Sequence, residues 1–270
     1  MKARREKVNK PPAPFEVAPY PKVRRAMELT TRSAQKTRMI HGLTEVDVTL
    51  ARQFIRDYKA RTGESLSFTA FIINCLARAV EENKGVHACR RGQNQLVLFD
   101  DVDVAVTVER EMDGQKQPIV YILRAANKKS FLEIHREIRE AQVNPVEQFW
   151  EGFSFFSKLP LVVFRGIWPF FWWQIRNNPG FQKKFGGTVG ITAVGMFGKG
   201  AGWGIPVAYH TQVTLGGIAT RPAVADGQIA IREFLCLTLS FDHDIVDGAP
   251  AARFSARFKE LIESGYGLIP

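Results

Sequence analysis

The stretch from Phe234 to Phe254 constrains this chain most. Phe234, Leu235, Cys236, Leu237 and Leu239 form an apolar run suited to a buried strand, and a helical pattern sets in at Pro250. Between them lies Ser-Phe-Asp-His-Asp-Ile-Val-Asp-Gly, which reads as a tight loop. His243 stands at the strand end, four residues before Asp247. Partial burial there favours the neutral imidazole, which accepts a proton near pH 7. Asp247 suits holding the loop or pairing with a basic group, and Gly248 admits backbone geometry that other residues resist. Taken alone, a structural histidine is the plainer reading of His243.

Periodicity elsewhere alternates helix and strand. Val23 to Thr37 reads as helix and His41 to Leu50 as strand. Thr49 is placed to cap a helix over 50–61 with Gly63 beyond it, and Ser67 to cap one over 68–83. The second has apolar positions over much of its circumference, so it is expected to be buried. Leu96–Phe99 and Val102–Val108 read as a strand pair, Pro118–Leu123 as a further strand, and Ser130–Ala141 as a helix. Strands return at Gly190–Val194, Val213–Ile218 and Glu233–Leu239, and a last helix covers Pro250–Glu263. Strand runs interleaved with long helices predict an α/β fold with a largely mixed sheet.

At 270 residues, 45% of them hydrophobic, the chain has ample material for a core. Cys75, Cys89 and Cys236 are widely spaced, an odd count that suggests reduced thiols. His41, His87, His135 and His210 have no metal-ligand spacing and read as structural, so no metal is expected. Residues 1–22 are basic and proline-rich with no apolar core, which reads as an extended arm or the stump of a linker rather than a secretory signal; a cytoplasmic location is the expectation. The net charge of +10 has three readings. A solvated arm is preferred, nucleic acid is not expected because no motif for it accompanies the charge, and attraction of an anionic substrate is the third.

Residues 146–175 hold eleven of the chain's thirty aromatic residues. Lys158, Pro160, Arg165 and Pro169 interrupt the segment, and its longest charge-free run, Gly166–Ile175, has ten residues, whereas a membrane span needs about twenty. Three readings stand: packing against the domain or a neighbouring subunit, contact with a membrane surface, or lining an apolar pocket. Packing is preferred over the other two.

The stretch Leu239-Ser-Phe-Asp-His243-Asp-Ile-Val-Asp247-Gly-Ala-Pro-Ala-Ala-Arg253-Phe254 resembles the signature of the dihydrolipoamide acyltransferases, the E2 components of 2-oxo acid dehydrogenase complexes. Gly190-Ile-Thr192-Ala-Val-Gly-Met-Phe-Gly198, Val213–Val224, Met39–Val48 and Leu66–Val80 are similar to further family segments, in the same order. The resemblance implies a chloramphenicol acetyltransferase-like two-layer sandwich over residues 23–270, trimeric, with the aromatic segment as an insertion. It implies coenzyme A as substrate, His243 as general base, Thr192 as oxyanion donor and Asp247 as a loop-holding residue, Arg24, Arg25 or Arg32 being candidate partners for Asp247. Histidine and hydroxyl would come from different subunits. No lipoyl domain lies ahead of residue 23, so the lipoyl group, or a separate lipoyl-domain protein, would act in trans; another small acceptor is the other option. Leu268 and Ile269 suit a tail that hooks trimers into a larger cage, or one that folds back. Asp244 departs from the family, which carries arginine there, and it leaves open a catalytically silent scaffold of the same fold.

Overall fold

The structure, a computed structural model, describes residues 28–29, 31–35, 37–112, 115–143, 161–195, 198–208, 210–225 and 227–268, with side chains undescribed at 110–118 and 161–165. The proposed arm, Arg24, Arg25, Ile269 and all of the 146–160 stretch lie outside the described residues. Six strands form one sheet: β1 (Met39–Asp47), β4 (Val104–Met112), β5 (Gln115–Leu123), β6 (Val189–Ala193), β7 (Gln212–Ala225) and β8 (Gln228–Asp242). Their order is β1-β8-β7-β6-β4-β5. Strand β6 runs parallel to both β4 and β7, and the remaining pairs are antiparallel, so the sheet is mixed as expected. Strands β2 (Cys89–Arg91) and β3 (Gln95–Val97) make a separate hairpin.

Residues 28–29 and 31–34 are helical, within the helix predicted at 23–37, and six further α-helices follow: α1 (Thr49–Thr62), α2 (Phe68–Glu82), α3 (Phe131–Val143), α4 (Leu161–Asn177), α5 (Pro179–Gly186) and α6 (Gly248–Glu263). Strand β8 shows how they meet the sheet. Leu235, Leu237, Leu239 and Phe241 alternate onto one face and enter the main core with Phe71 of α2 and Phe254 and Phe258 of α6. The rings of Phe241 and Phe254 meet edge to face at 5.7 Å. Helix α2 is buried around most of its circumference, from Ala70 to Val80, as its composition required. Truncating Phe71 there to alanine would cost about 3–5 kcal/mol.

Local chemistry sets the helix ends. Ser67 caps α2 through the Ala70 N–H at 3.2 Å, as predicted. Thr49 does not cap α1; it is the first helical residue. The Asp47 carboxylate accepts from the Thr49 N–H at 2.9 Å and hydroxyl at 2.6 Å, and that hydroxyl accepts from the Glu233 N–H at 2.8 Å. The predicted pairing of 96–99 with 102–108 is corrected as well: β3 pairs with β2, and β4 lies between β5 and β6.

Candidate active site

The loop after β8 is tightly held. The His243 N–H donates to the Arg38 carbonyl at 2.8 Å, and the Ile245 and Val246 N–H groups donate to the Asp242 carbonyl at 3.0 and 2.9 Å. Val246 is buried in the main core and pins the loop, and Asp247 opens α6 in an extended conformation. The His243 Nδ1 faces the Asp247 carboxylate at 3.5 Å, which leaves Nε2 as the outward nitrogen. The two side chains are 47% and 84% exposed. The expected desolvation of His243 is therefore absent from the single chain, because the loop carries the ring past the strand end. Of the three arginines named for Asp247, only Arg32 is described, and it does not pair with Asp247. Arg32 pairs instead with Glu28 at 2.6 Å.

Asp244 has two cationic neighbours. Arg38 Nη1 lies 3.2 Å from one carboxylate oxygen and Arg90 Nη1 lies 3.8 Å from the other. The charge reversal is thus balanced locally, by residues that no motif marks. Its backbone N–H donates to the Asp242 carboxylate at 3.0 Å, and burial pushes the Asp242 carboxyl above the usual range. A cleft opens beside the loop, lined by Cys89, Arg90, Arg176, His210, Asp242 and Asp244. The Cys89 thiol donates to Gln182 Oε1 at 2.8 Å, and burial pushes its pKa up to about 11.

Thr192 sits in β6, half-buried, and its hydroxyl takes up no hydrogen bond among the described residues. It is the edge of a row across the sheet, paired with Thr214 of β7, which pairs with Thr238 of β8. The hydroxyls of Thr214 and Thr238 are buried without a partner among the described residues. Gly204 packs over this row: a Cβ there would lie 3.3 Å from the Thr214 methyl. From Thr238 to His243 is roughly 17 Å along the strand, and from β8 to β6 roughly 10 Å across the sheet. His243 and Thr192 are therefore roughly 20 Å apart in one chain and do not meet within it. Asp247 and His243 do.

Leu268 is buried against the main core, and its N–H donates to the Gly265 carbonyl at 3.0 Å. Of the two readings of the tail, Leu268 follows the one in which it folds back. Among the described residues no group of three His, Cys, Asp or Glu side chains is placed to hold a metal ion.

The family model for the catalytic domain of the 2-oxoacid dehydrogenases acyltransferases matches residues 12–146 and 180–269. Among individual relatives, the lipoamide acyltransferase component of the branched-chain alpha-keto acid dehydrogenase complex of Bacillus subtilis is 28% identical over 91% of this chain and 52% of its own length. The chain spans about half the length of the curated relatives it matches. A probable dihydrolipoamide acetyltransferase from Listeria monocytogenes superposes with a TM-score of 0.67 at 24% identity, covering 93% of this chain and 95% of that one. The Azotobacter vinelandii dihydrolipoamide acetyltransferase does so with a TM-score of 0.67 at 18% identity, covering 97% and 99%. The last two likenesses concern the fold. Fold, motif order and a family match over both ends of the described sheet agree: the chain belongs to the 2-oxoacid dehydrogenase acyltransferase family, through its catalytic domain.

Proposed function

We propose that this domain transfers an acyl group between coenzyme A and a thiol, dihydrolipoamide presented in trans, at sites formed where two copies of the chain meet. The observation that carries this is the separation of the two candidate groups. His243 turns an open Nε2 outward at one end of the sheet, and Thr192 holds an unpartnered hydroxyl roughly 20 Å away. In a closed cyclic oligomer two different patches of the chain meet at every junction, which lets groups far apart in one copy share a site. A homotrimer is the assembly proposed.

In the reaction, Nε2 of His243 takes the proton of the attacking thiol, whose unassisted pKa of about 8.5 leaves little thiolate at pH 7. The sulfur adds to the thioester carbonyl, and the Thr192 hydroxyl donates a hydrogen bond to the resulting oxyanion. Collapse breaks the bond to the departing sulfur, which recovers the proton from His243. Asp247, beside Nδ1, keeps the ring oriented and favours the imidazolium while it exists. A serine, a histidine and, four residues after it, an asparagine were investigated for their role in catalysis in the Azotobacter vinelandii relative. His243 and Asp247 stand at that same spacing.

The test is thiol release from acyl-CoAs of graded chain length, with dihydrolipoamide as acceptor, for the wild type and His243→Ala. Turnover that falls roughly 10²–10⁴-fold in the variant supports the reading. Wild-type silence, with coenzyme A failing to bind, would favour the scaffold.

A further inference from the structure

Two hydroxyls beside Thr192 are buried and take no part in the proposed transfer. Thr192 pairs with Thr214, and Thr214 with Thr238, so the three side chains stand on one face of the sheet. Thr214 and Thr238 are 2% and 0% exposed, and neither hydroxyl has a partner among the described residues. Valine would fill the same space without stranding a hydroxyl, so two orphaned hydroxyls side by side call for an explanation beyond packing. The covering segment does not supply one. A Cβ on Gly204 would meet the Thr214 methyl at 3.3 Å and a Val194 methyl at 3.1 Å, so the apolar side of Thr214 faces it.

The row has a closed end and an open one. Beyond Thr238 the next strand presents Leu43, whose side chain offers no polar group. At the other end β6 pairs with β4 only as far as Ile191, so the row stops at Thr192, which is half-buried. Cβ atoms of directly paired residues lie about 5 Å apart, close enough for neighbouring hydroxyls turned toward each other to bond. A hydroxyl carries one hydrogen and two lone pairs. Once Thr192 gives its hydrogen to the oxyanion, its oxygen is left to accept, and Thr214 is the neighbour in the row that can donate. Thr214 in turn accepts from Thr238, which has no other hydroxyl beside it in the row. Donation therefore runs one way, from Thr238 through Thr214 to Thr192, and each bond polarises the next. We propose, resting on the oxyanion role given to Thr192, that Thr214 and Thr238 are positioning residues. They aim the Thr192 hydroxyl outward as a donor and strengthen it as negative charge develops.

Thiol release and thermal unfolding are measured for the full chain as wild type, Thr214→Val, Thr214→Ser, Thr238→Val, Thr192→Ala and Thr192→Ala/Thr214→Val. Thr214→Val keeps the shape of the side chain and removes the hydroxyl. Its kcat is expected to fall roughly two- to tenfold, the worth of one hydrogen bond, with KM for the acyl-CoA unchanged. Thr238→Val falls less, because its hydroxyl acts only through Thr214, and Thr214→Ser keeps kcat near the wild type. The Tm of Thr214→Val stays level or rises, since a stranded hydroxyl leaves the core. In the Thr192→Ala background, Thr214→Val costs no further activity. The proposal is overturned by unchanged turnover in Thr214→Val, or by an equal loss when Thr192 is absent. A lowered Tm in Thr214→Val also overturns it, by marking the hydroxyl as structural. Full activity in Thr192→Ala would instead refute the oxyanion role itself, and the row with it.

Discussion

Gly217→Ala tests how the covering of the threonine row is built. Gly216 and Gly217 form the irregularity between Leu215 and Ile218 of β7, and the chain segment around Gly200–Gly204 lies directly on it. A Cβ on Gly217 would stand 1.9 Å from the Gly200 carbonyl oxygen, and real Cβ atoms essentially never come within 3.0 Å of a neighbour. The covering segment must therefore retreat by about 1.1 Å, which stretches the hydrogen bond from the Gly217 N–H to the Gly202 carbonyl, now 2.8 Å. Overpacking of this kind costs about 1–3 kcal/mol and the hydrogen bond about 1 kcal/mol. A loss of about 3 kcal/mol lowers Tm by about 6–12 °C in a domain of this size. The comparison is Gly227→Ala, at a hairpin turn with φ of +77° and nothing within 4 Å, where only backbone strain of about 1–2 kcal/mol applies. Thermal unfolding of both variants reads the difference. A Gly217→Ala protein that melts no lower than Gly227→Ala would refute the argument from close approach.

Asp244→Arg is expected to lower kcat/KM, because it sets a third cation beside Arg38 and Arg90 in the loop that carries His243. Adding Arg38→Asp should recover part of the loss, with a coupling of about 0.5–1 kcal/mol for so exposed a pair; an additive double variant would contradict it. Asp103→Ala should cost about 1–3 kcal/mol by urea unfolding. The Asp103 carboxylate is buried and accepts from Arg124 Nη1 and the Ala125 N–H, both at 2.8 Å, and its loss leaves the guanidinium without its counter-charge. Stability should also fall with acid. Burial pushes His87 down to about 4, and the His210 imidazole is pushed down by the same cause. The unfolded chain, with histidine near 6.5, binds those protons first, so stability is full above about pH 6.5 and is lost as pH drops towards 4. The slope is about 1.4 kcal/mol per pH unit for each histidine, and urea midpoints at pH 7.5 and 5 should show it; equal midpoints would contradict the burial argument.

Much of the scaffold was legible where local pattern and burial coincide. The run from Leu235 to Leu239 and the apolar circumference of α2 could hardly sit anywhere but in a core, and Ser67 carries its own capping chemistry. Pairing was less legible, since residues 96–99 and 102–108 look alike locally but join different partners. The far ends of β7 and β8 were missed because Val224, Ile229 and Ile231 are exposed, so their apolar character carried no inward-outward signal. Pro169 inside α4 hid a helix, for proline ordinarily argues against one. At the proposed site, the motifs pointed to His243, Thr192 and Asp247. The partners of Asp244 lie 206 and 154 residues upstream, and only folding brings Arg38 and Arg90 to it.

The central claim is that His243 and Thr192 act together across two copies of the chain. Subunit complementation tests it most directly: His243→Ala and Thr192→Ala proteins, each nearly inactive alone, are unfolded, mixed in equal amounts and refolded together. In a cyclic oligomer with one site per junction, random mixing rebuilds wild-type sites at roughly a quarter of the junctions. The account predicts thiol release returning to roughly a quarter of the wild-type rate. A mixture no more active than its separate components, with mixed oligomers shown to have formed, would contradict it.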